Sequence, residues 1–220
     1  MSRTLVAEIV GPAGAGKSTL AEALRRRGRG VRGGLGVWGL PARLLVSSAV
    51  RSLPQLLVLY RGGGLNGWRG AALVVRLNAL GRLVGRESAR RHRFLLLDEG
   101  TVFALAKLRA FGGGQRRLGT LVERWAGMLD AVVWLDAPDE VLARRIRERA
   151  KPHRMKARTD EEISAFLARY RESYERVVAE LGARGGLQVI RVSTDGGETP
   201  ERIAERVLSR IEAAGGESGG

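Results

Sequence analysis

A chain of 220 residues, 44% of them hydrophobic, can bury one sizeable core and is short enough to form a single domain. It has no cysteine, which excludes disulfides and thiolate metal sites and fits a reducing, cytoplasmic setting. Its net charge of +15 is concentrated, because residues 23–97 hold fifteen Arg, no Lys and one acid, Glu87. A basic block of that size can face nucleic acid, an anionic membrane surface or phosphorylated substrates, although 34 of the 38 basic residues are Arg and biased composition explains the block equally well.

The opening MSRTLVAEIV lacks the long apolar core of a signal peptide, and no stretch of about 18 consecutive apolar residues occurs, so a soluble chain is expected. Residues 4–10 alternate weakly, are rich in β-branched side chains and run into a glycine cluster before the helical pattern of 19–27; this reads as strand, loop, helix. Residues 28–39 contain six glycines and little periodicity and read as a loop with one short strand near Val37. Residues 41–60 and 68–91 carry apolar side chains at helical spacing, with arginines on the other face. Pro54 is expected to break or kink the first of these helices, and Gly62, Gly63 and Gly64 separate the two.

FLLLD, residues 94–98, is a continuous apolar strand of the kind buried in parallel sheets. Helices are predicted over 101–110 and 115–129, and a second apolar strand over 131–136. A further helix starts at Pro138, where the missing N–H costs nothing, and runs to about Arg149. After a basic loop, Thr159 as N-cap with Glu162 three residues on opens a long helix over 160–181. A strand over 187–192, a helix over 200–213 and a disordered tail over 215–220 complete the chain. Strands alternating with helices predict an α/β fold, a parallel sheet covered on both faces in one domain spanning 1–214.

Between the first strand and first helix lies GPAGAGKST, residues 11–19, which satisfies G-x-x-x-x-G-K-[ST] in the context that this phosphate-binding loop requires. Gly11, Ala13, Gly14, Ala15, Gly16, Lys17, Ser18 and Thr19 would cradle the phosphates of a nucleoside triphosphate, ATP being the expected one. Lys17 supplies a point charge for the β and γ phosphates, and the Ser18 hydroxyl suits Mg2+. An Asp ending a neighbouring strand commonly holds the Mg2+ shell in such proteins, a role that Asp98 fits. Glu99 has three readings: a base orienting water in an ATPase, a base accepting the proton of a substrate hydroxyl in a kinase, or a solvated residue ahead of the next helix. The stretch LDAPDEVLARRIRER ends in four arginines, with Lys151, His153, Arg154, Lys156 and Arg158 beyond. It reads either as a lid over 145–160 closing on the triphosphate or as a solvated basic helix end.

Taken together, GPAGAGKST, LLLDEG, LDAPDEVLARRIRER, FLARYRESYERV and VIRVSTDGGETPERIAERVL resemble the thymidylate kinase-like and deoxynucleoside kinase-like families of P-loop kinases, in order and approximate spacing. The resemblance implies a P-loop NTPase three-layer sandwich of about five parallel strands with a lid, acting with ATP and Mg2+. It implies catalytic lid arginines at Arg145 and Arg149, with Arg147 between them, and a nucleotide-contacting loop at Asp195. It also implies an acceptor-phosphate arginine at Arg76 and a homodimer. Residues 28–93 diverge from the pattern and would form the acceptor region. Asp98-Glu99 replaces the Asp-Arg or Glu-Arg of those families, so an acid stands where an anion-gripping arginine is expected. That exchange leans toward a hydroxyl acceptor with Glu99 as base, whereas the basic middle segment leans toward an anionic one.

The leading expectation is a kinase acting on a small molecule, nucleotide- or nucleoside-like. The alternative is a P-loop ATPase coupled to a partner or membrane process, with residues 41–91 as its partner surface. Nucleic acid is disfavoured, since aromatics make up 5% of the chain and show no stacking pattern; peripheral membrane contact stays open. Trp38 and Trp68 read as rim or core packing rather than base-stacking residues, and His92 and His153 have no metal-ligand spacing.

Overall fold

A computed structural model describes residues 3–61, 67–90, 92–112, 118–150 and 153–217. Five strands, β1 (Leu5–Val10), β2 (Val31–Leu35), β3 (Phe94–Asp98), β4 (Ala131–Asp136) and β5 (Gln188–Ser193), form one sheet in the order β2-β3-β1-β4-β5. Every pairing is parallel. The helices are α1 (Lys17–Arg27), α2 (Ala42–Arg61), α3 (Gly67–Ser88), α4 (Thr101–Gly112), α5 (Gly119–Ala126), α6 (Asp139–Glu148), α7 (Asp160–Gly182) and α8 (Pro200–Glu217).

Alternate residues of the inner strands feed two cores, because successive side chains point to opposite faces of the sheet. Val6, Val10, Leu95, Leu97, Val132 and Trp134 pack with α2, α3, α4, α5 and the C-terminal half of α7. Leu5, Ala7, Ile9, Leu96, Val133 and Leu135 pack with α1, α6, α8 and the N-terminal half of α7. Both faces being covered explains why β3 and β4 read as unbroken apolar runs rather than alternating ones. The expected three-layer α/β sandwich is the one observed.

The N-cap expectation for α7 holds in detail: Thr159 Oγ1 accepts from the Glu162 backbone at 3.3 Å while Glu162 Oε2 accepts from the Thr159 backbone at 3.0 Å. Other expectations shift. The second strand lies at β2, ahead of Val37, which instead donates its backbone N–H to the Glu99 carbonyl. Pro54 does not end α2; it sits on the exposed side, where water can serve the carbonyl that loses its partner. The predicted helix over 115–129 is shorter as α5, and α8 continues through Glu217 into the expected tail. Gly62, Gly63, Gly64 and Lys151, together with residues 115–117 and 218–220, lie outside the described residues.

Leu95, fully buried in the central strand pair, tests this packing. Leu95→Ala should lower the unfolding free energy by about 2–5 kcal/mol in a urea titration without changing the slope.

Candidate active site

The P-loop follows directly from β1. Gly16 caps α1 in a left-handed conformation, φ 84°, which turns the chain so that Lys17 and Ser18 open the helix. Lys17 Nζ donates to the carbonyls of Gly11 (2.7 Å) and Pro12 (3.0 Å), so the ammonium is folded over the loop. Burial pushes its pKa down, Asp98 and Glu99 pull it back up, and Arg149 lowers it further. Ala15 is buried beneath the loop, whereas Ser18 and Thr19 are exposed toward the cleft.

A residue that the sequence reading passed over organises the opposite wall. Glu8 is an acid in the middle of the apolar strand LVAEIV and is fully buried. Its carboxylate crosses from β1 to the start of α4. Oε1 accepts from Gly100 N (3.1 Å) and Phe103 N (3.4 Å), and Oε2 accepts from Thr101 N (2.7 Å) and Val102 N (2.9 Å). These are N–H groups that a helix leaves without internal partners, capped here by a side chain from another strand. A Cβ on Gly100 would stand 2.9 Å from Leu97 Cβ and 3.1 Å from the Glu8 carboxyl, so only glycine admits the carboxylate. The clamp fixes the turn between β3 and α4, where Glu99 is held at φ 51°. Strained backbone of this kind costs about 1–3 kcal/mol and persists where surrounding contacts enforce it. Here those are the Glu8 clamp on one side and, on the other, the Val37–Glu99 hydrogen bond.

The P-loop and this turn face each other across a cleft of about 620 Å³. Gly11, Ala13, Gly14, Gly16, Lys17, Ser18, Thr19, Asp98, Glu99, Arg145 and Arg149 all line it. Arg145, on α6, donates to Gly14 O (3.3 Å), Thr194 Oγ1 (3.3 Å) and Thr194 O (2.7 Å), tying the P-loop to the turn after β5. Arg147 points elsewhere, to Asp160 (2.6 Å) and the Arg158 carbonyl. Asp195 is exposed on its turn and is not among the lining residues; its neighbour Thr194 makes the contact with Arg145. The expected lid is therefore part helix, since Arg145 to Glu148 belong to α6, and residues 154–157 form a turn ahead of α7.

An aromatic wall, Phe103, Phe166, Tyr170 and Tyr174, closes the cleft. Tyr170 and Tyr174 stack at 3.9 Å, and the Tyr170 hydroxyl accepts from Gly11 N at 3.3 Å. Burial holds both phenols well above their usual pKa, so they stay neutral hydrogen-bonding groups. His153, against Phe166, is pushed below its usual value by burial and by Arg149, Arg154 and Lys17. Arg171, from α7, grips Asp136 through both carboxylate oxygens (2.8 and 2.9 Å) and Asp139 at 2.7 Å, holding the β4–α6 turn. The pairing of DAPD with a cation was the available signal for it, as the lone acid in LVAEIV was for Glu8.

On the acceptor side, Arg76 lies outside the cleft lining, its guanidinium 4.8 Å from the Trp38 ring and donating to the Val37 carbonyl at 3.2 Å. Trp38 is 48% exposed and meets Phe103 edge-on at 6.3 Å. This is the rim packing expected of it, now placed beside the cleft. His92 contacts Glu87 at 3.2 Å, by a second cleft of about 650 Å³ at the N-terminal ends of β1 and β3. Ligands of open α/β sheets bind at the carboxyl ends of the strands, so the P-loop cleft is the candidate site. No group of three or more His, Asp or Glu arranged to hold a metal occurs among the described residues. Ser18 and Asp98 on one cleft nonetheless suit Mg2+, which takes one or two protein oxygens and completes its shell from phosphates and water.

Burial pushes Glu8 up to about 7 from 4.5, the four backbone bonds pulling the other way. The folded carboxyl keeps its proton where the unfolded one has lost it. Stability should therefore fall as pH rises from about 4.5 to about 7, by about 3 kcal/mol. Glu8→Gln should abolish that pH dependence, as read from urea unfolding across the interval.

No protein-family model and no curated protein matches the sequence. The fold, however, matches solved structures, two of them kinases, over nearly its whole length. Thymidylate kinase from Candida albicans is 13% identical, with a TM-score of 0.57 covering 97% of this chain and 93% of that one. Deoxyadenosine kinase from M. mycoides is 15% identical, with a TM-score of 0.51 covering 95% and 100%. The tunicamycin resistance protein of Deinococcus radiodurans is 20% identical, with a TM-score of 0.53 covering 95% and 96%. The chain has the P-loop kinase fold.

Proposed function

We propose that this protein is a Mg-ATP-dependent phosphotransferase that phosphorylates a hydroxyl group of a small, nucleoside-like acceptor. The observation that carries the reading is the cleft in which Lys17, Arg145 and Arg149 face Asp98 and Glu99, the latter two held in place by the Glu8 clamp. A site that opposes phosphate-binding cations to carboxylates has a donor end and an acceptor end.

At the donor end, P-loop amides, the α1 N-terminus and Lys17 hold the triphosphate. Ser18 and Asp98 would hold Mg2+, which neutralises charge on the β and γ oxygens when bound. Arg145 and Arg149 stabilise the charge on the moving phosphoryl group. At the acceptor end, Glu99 accepts the proton of the attacking hydroxyl as the new O–P bond forms and the bond to the β-phosphate oxygen breaks, releasing ADP. An acceptor that is already an anion needs no base and would meet the Glu99 carboxylate, which is why the hydroxyl is favoured. Trp38, Phe103 and Arg76 offer a flat, partly exposed rim for a ring-bearing acceptor. The aromatic wall limits entry of water, the competing nucleophile. The cysteine-free composition suits a reducing, cytoplasmic setting.

A panel of nucleosides, nucleotides and sugars, incubated with γ-labelled ATP, tests the reading. Label should pass to a hydroxyl-bearing acceptor, and steady hydrolysis with no acceptor labelled would replace the kinase with the ATPase. Glu99→Gln should lower kcat by about 10²–10⁴-fold and leave ATP affinity within about threefold. Lys17→Ala should remove both tight ATP binding and transfer while leaving the thermal transition cooperative.

A further inference from the structure

Helix α2 is apolar on both sides and polar along a seam. Its inward side sends Leu44 and Leu59 into the core and carries Ser48, Ser52 and Gln55 between them. Arg82 of α3 donates to Ser47 (2.8 Å) and Ser48 (3.1 Å), and Asn78 donates to Ser52 (2.9 Å) and Gln55 (2.8 Å). The partners run in opposite senses along the two helices, so α2 and α3 form an antiparallel hairpin with a polar seam. The outward face is apolar as well. Val46, Val50, Leu53, Leu57 and Tyr60 fall at helical spacing within one stripe, each between 49% and 71% exposed. Trp68, at the start of α3 and so at the same end of the hairpin as Tyr60, is 76% exposed. Contiguous exposed apolar surface of this kind marks an interaction site.

Charge identifies what covers it. Arg43, Arg51 and Arg61 are exposed along α2, and Arg69 follows Trp68. The one acid of residues 23–97, Glu87, is buried and already engaged by Arg32, Arg90 and His92. Crowding is evident at Arg82, whose guanidinium is pushed down by desolvation and then by Arg51, Arg86 and Arg124. Two copies meeting through this face would bring their arginine rows together with no acid of the segment to answer them. Nucleic acid would be met by stacking aromatics, and this stripe is mostly aliphatic. A bilayer with anionic headgroups answers both the aliphatic stripe and the arginines, and Trp and Tyr favour the headgroup level.

We propose that α2 docks in the plane of an anionic lipid surface, its Val46–Val50–Leu53–Leu57–Tyr60 stripe among the acyl chains and Arg43, Arg51, Arg61 and Arg69 at the phosphates. By length and composition α2 could also cross a bilayer. The seam to Arg82 and Asn78 and the exposed Arg51 near its middle instead set it lying flat, as an interfacial helix. The loop carrying Trp38 leads directly into α2, so docking brings the acceptor side of the cleft to the lipid.

Flotation of the full chain with phosphatidylglycerol–phosphatidylcholine vesicles, against pure phosphatidylcholine, tests this. The wild type should float with the anionic vesicles and stay at the bottom with the neutral ones. Leu53→Glu with Leu57→Glu, both on the exposed stripe, should weaken binding at least about tenfold with an unchanged melting temperature. Equal flotation of the double variant would overturn insertion of the stripe. Failure of the wild type to bind anionic vesicles would overturn the proposal. So would a protein that is dimeric by analytical ultracentrifugation and that the double variant makes monomeric, since a second copy would then cover the face. Preferential capture of an oligonucleotide over the vesicles would assign the arginines to nucleic acid and overturn it as well.

Discussion

A single buried carboxylate holds the reactive end of this molecule in shape. Glu8 leaves β1 two residues before the strand ends and caps a helix that begins more than ninety residues later in the chain. Two adjacent parallel strands are thereby joined not only by their ladder but at their carboxyl ends, where parallel sheets place ligands. The helix N-terminus offers partial positive charge, and the carboxyl oxygens of Glu8 meet it. Because four N–H groups are spent on Glu8, the start of α4 is closed to phosphate, and the P-loop helix is left as the phosphate-binding terminus. Asp98 and Glu99 then face the cleft as a consequence of backbone geometry rather than of their own side-chain contacts.

On the other side of the sheet the arrangement is electrostatic at the surface. Arg171 holds Asp136 and Asp139 together at the β4–α6 turn, and α6 in turn carries Arg145 to the P-loop and to Thr194. The arginine that stabilises the turn and the arginine that reaches the P-loop are thus parts of one chain of contacts. Fork-shaped guanidinium groups suit both tasks, since each grips two oxygens at once.

Much of this was legible in the sequence for physical reasons. The strands β3 and β4 announce themselves because burial on both faces demands unbroken apolar runs, and the P-loop because close approach of backbone to phosphate demands glycine at fixed spacing. The cap at Thr159 is local, so three residues suffice to see it. Glu8 was not legible as a cap because its partners are distant in sequence; only the oddity of an acid inside LVAEIV hinted at it. Arg147 and Arg145 are both plausible by spacing, and the helix's rotation decides between them. The position of β2 was missed because glycines at 33, 34 and 36 remove the side-chain alternation that identifies a strand. Helix α2 was read as having apolar and basic faces, but the polar seam between its buried Leu44 and Leu59 depends on what α3 offers, and α3 offers Asn78 and Arg82.

Helix α7, at 23 residues about 35 Å long, draws the two sides together. Within little more than two turns it places Phe166 beside His153, Tyr170 on the P-loop amide of Gly11, Arg171 on the β4–α6 turn, and Tyr174 in the cleft wall. One helix thus carries contacts to the P-loop, to the β4–α6 turn and to His153. The P-loop half of the cleft is therefore tied together through one helix, whereas the Trp38 loop and the exposed surface of α2 touch none of those contacts. Divergence among relatives of this chain should accumulate around the Trp38 loop and the exposed surface of α2, and the P-loop half of the cleft should change more slowly.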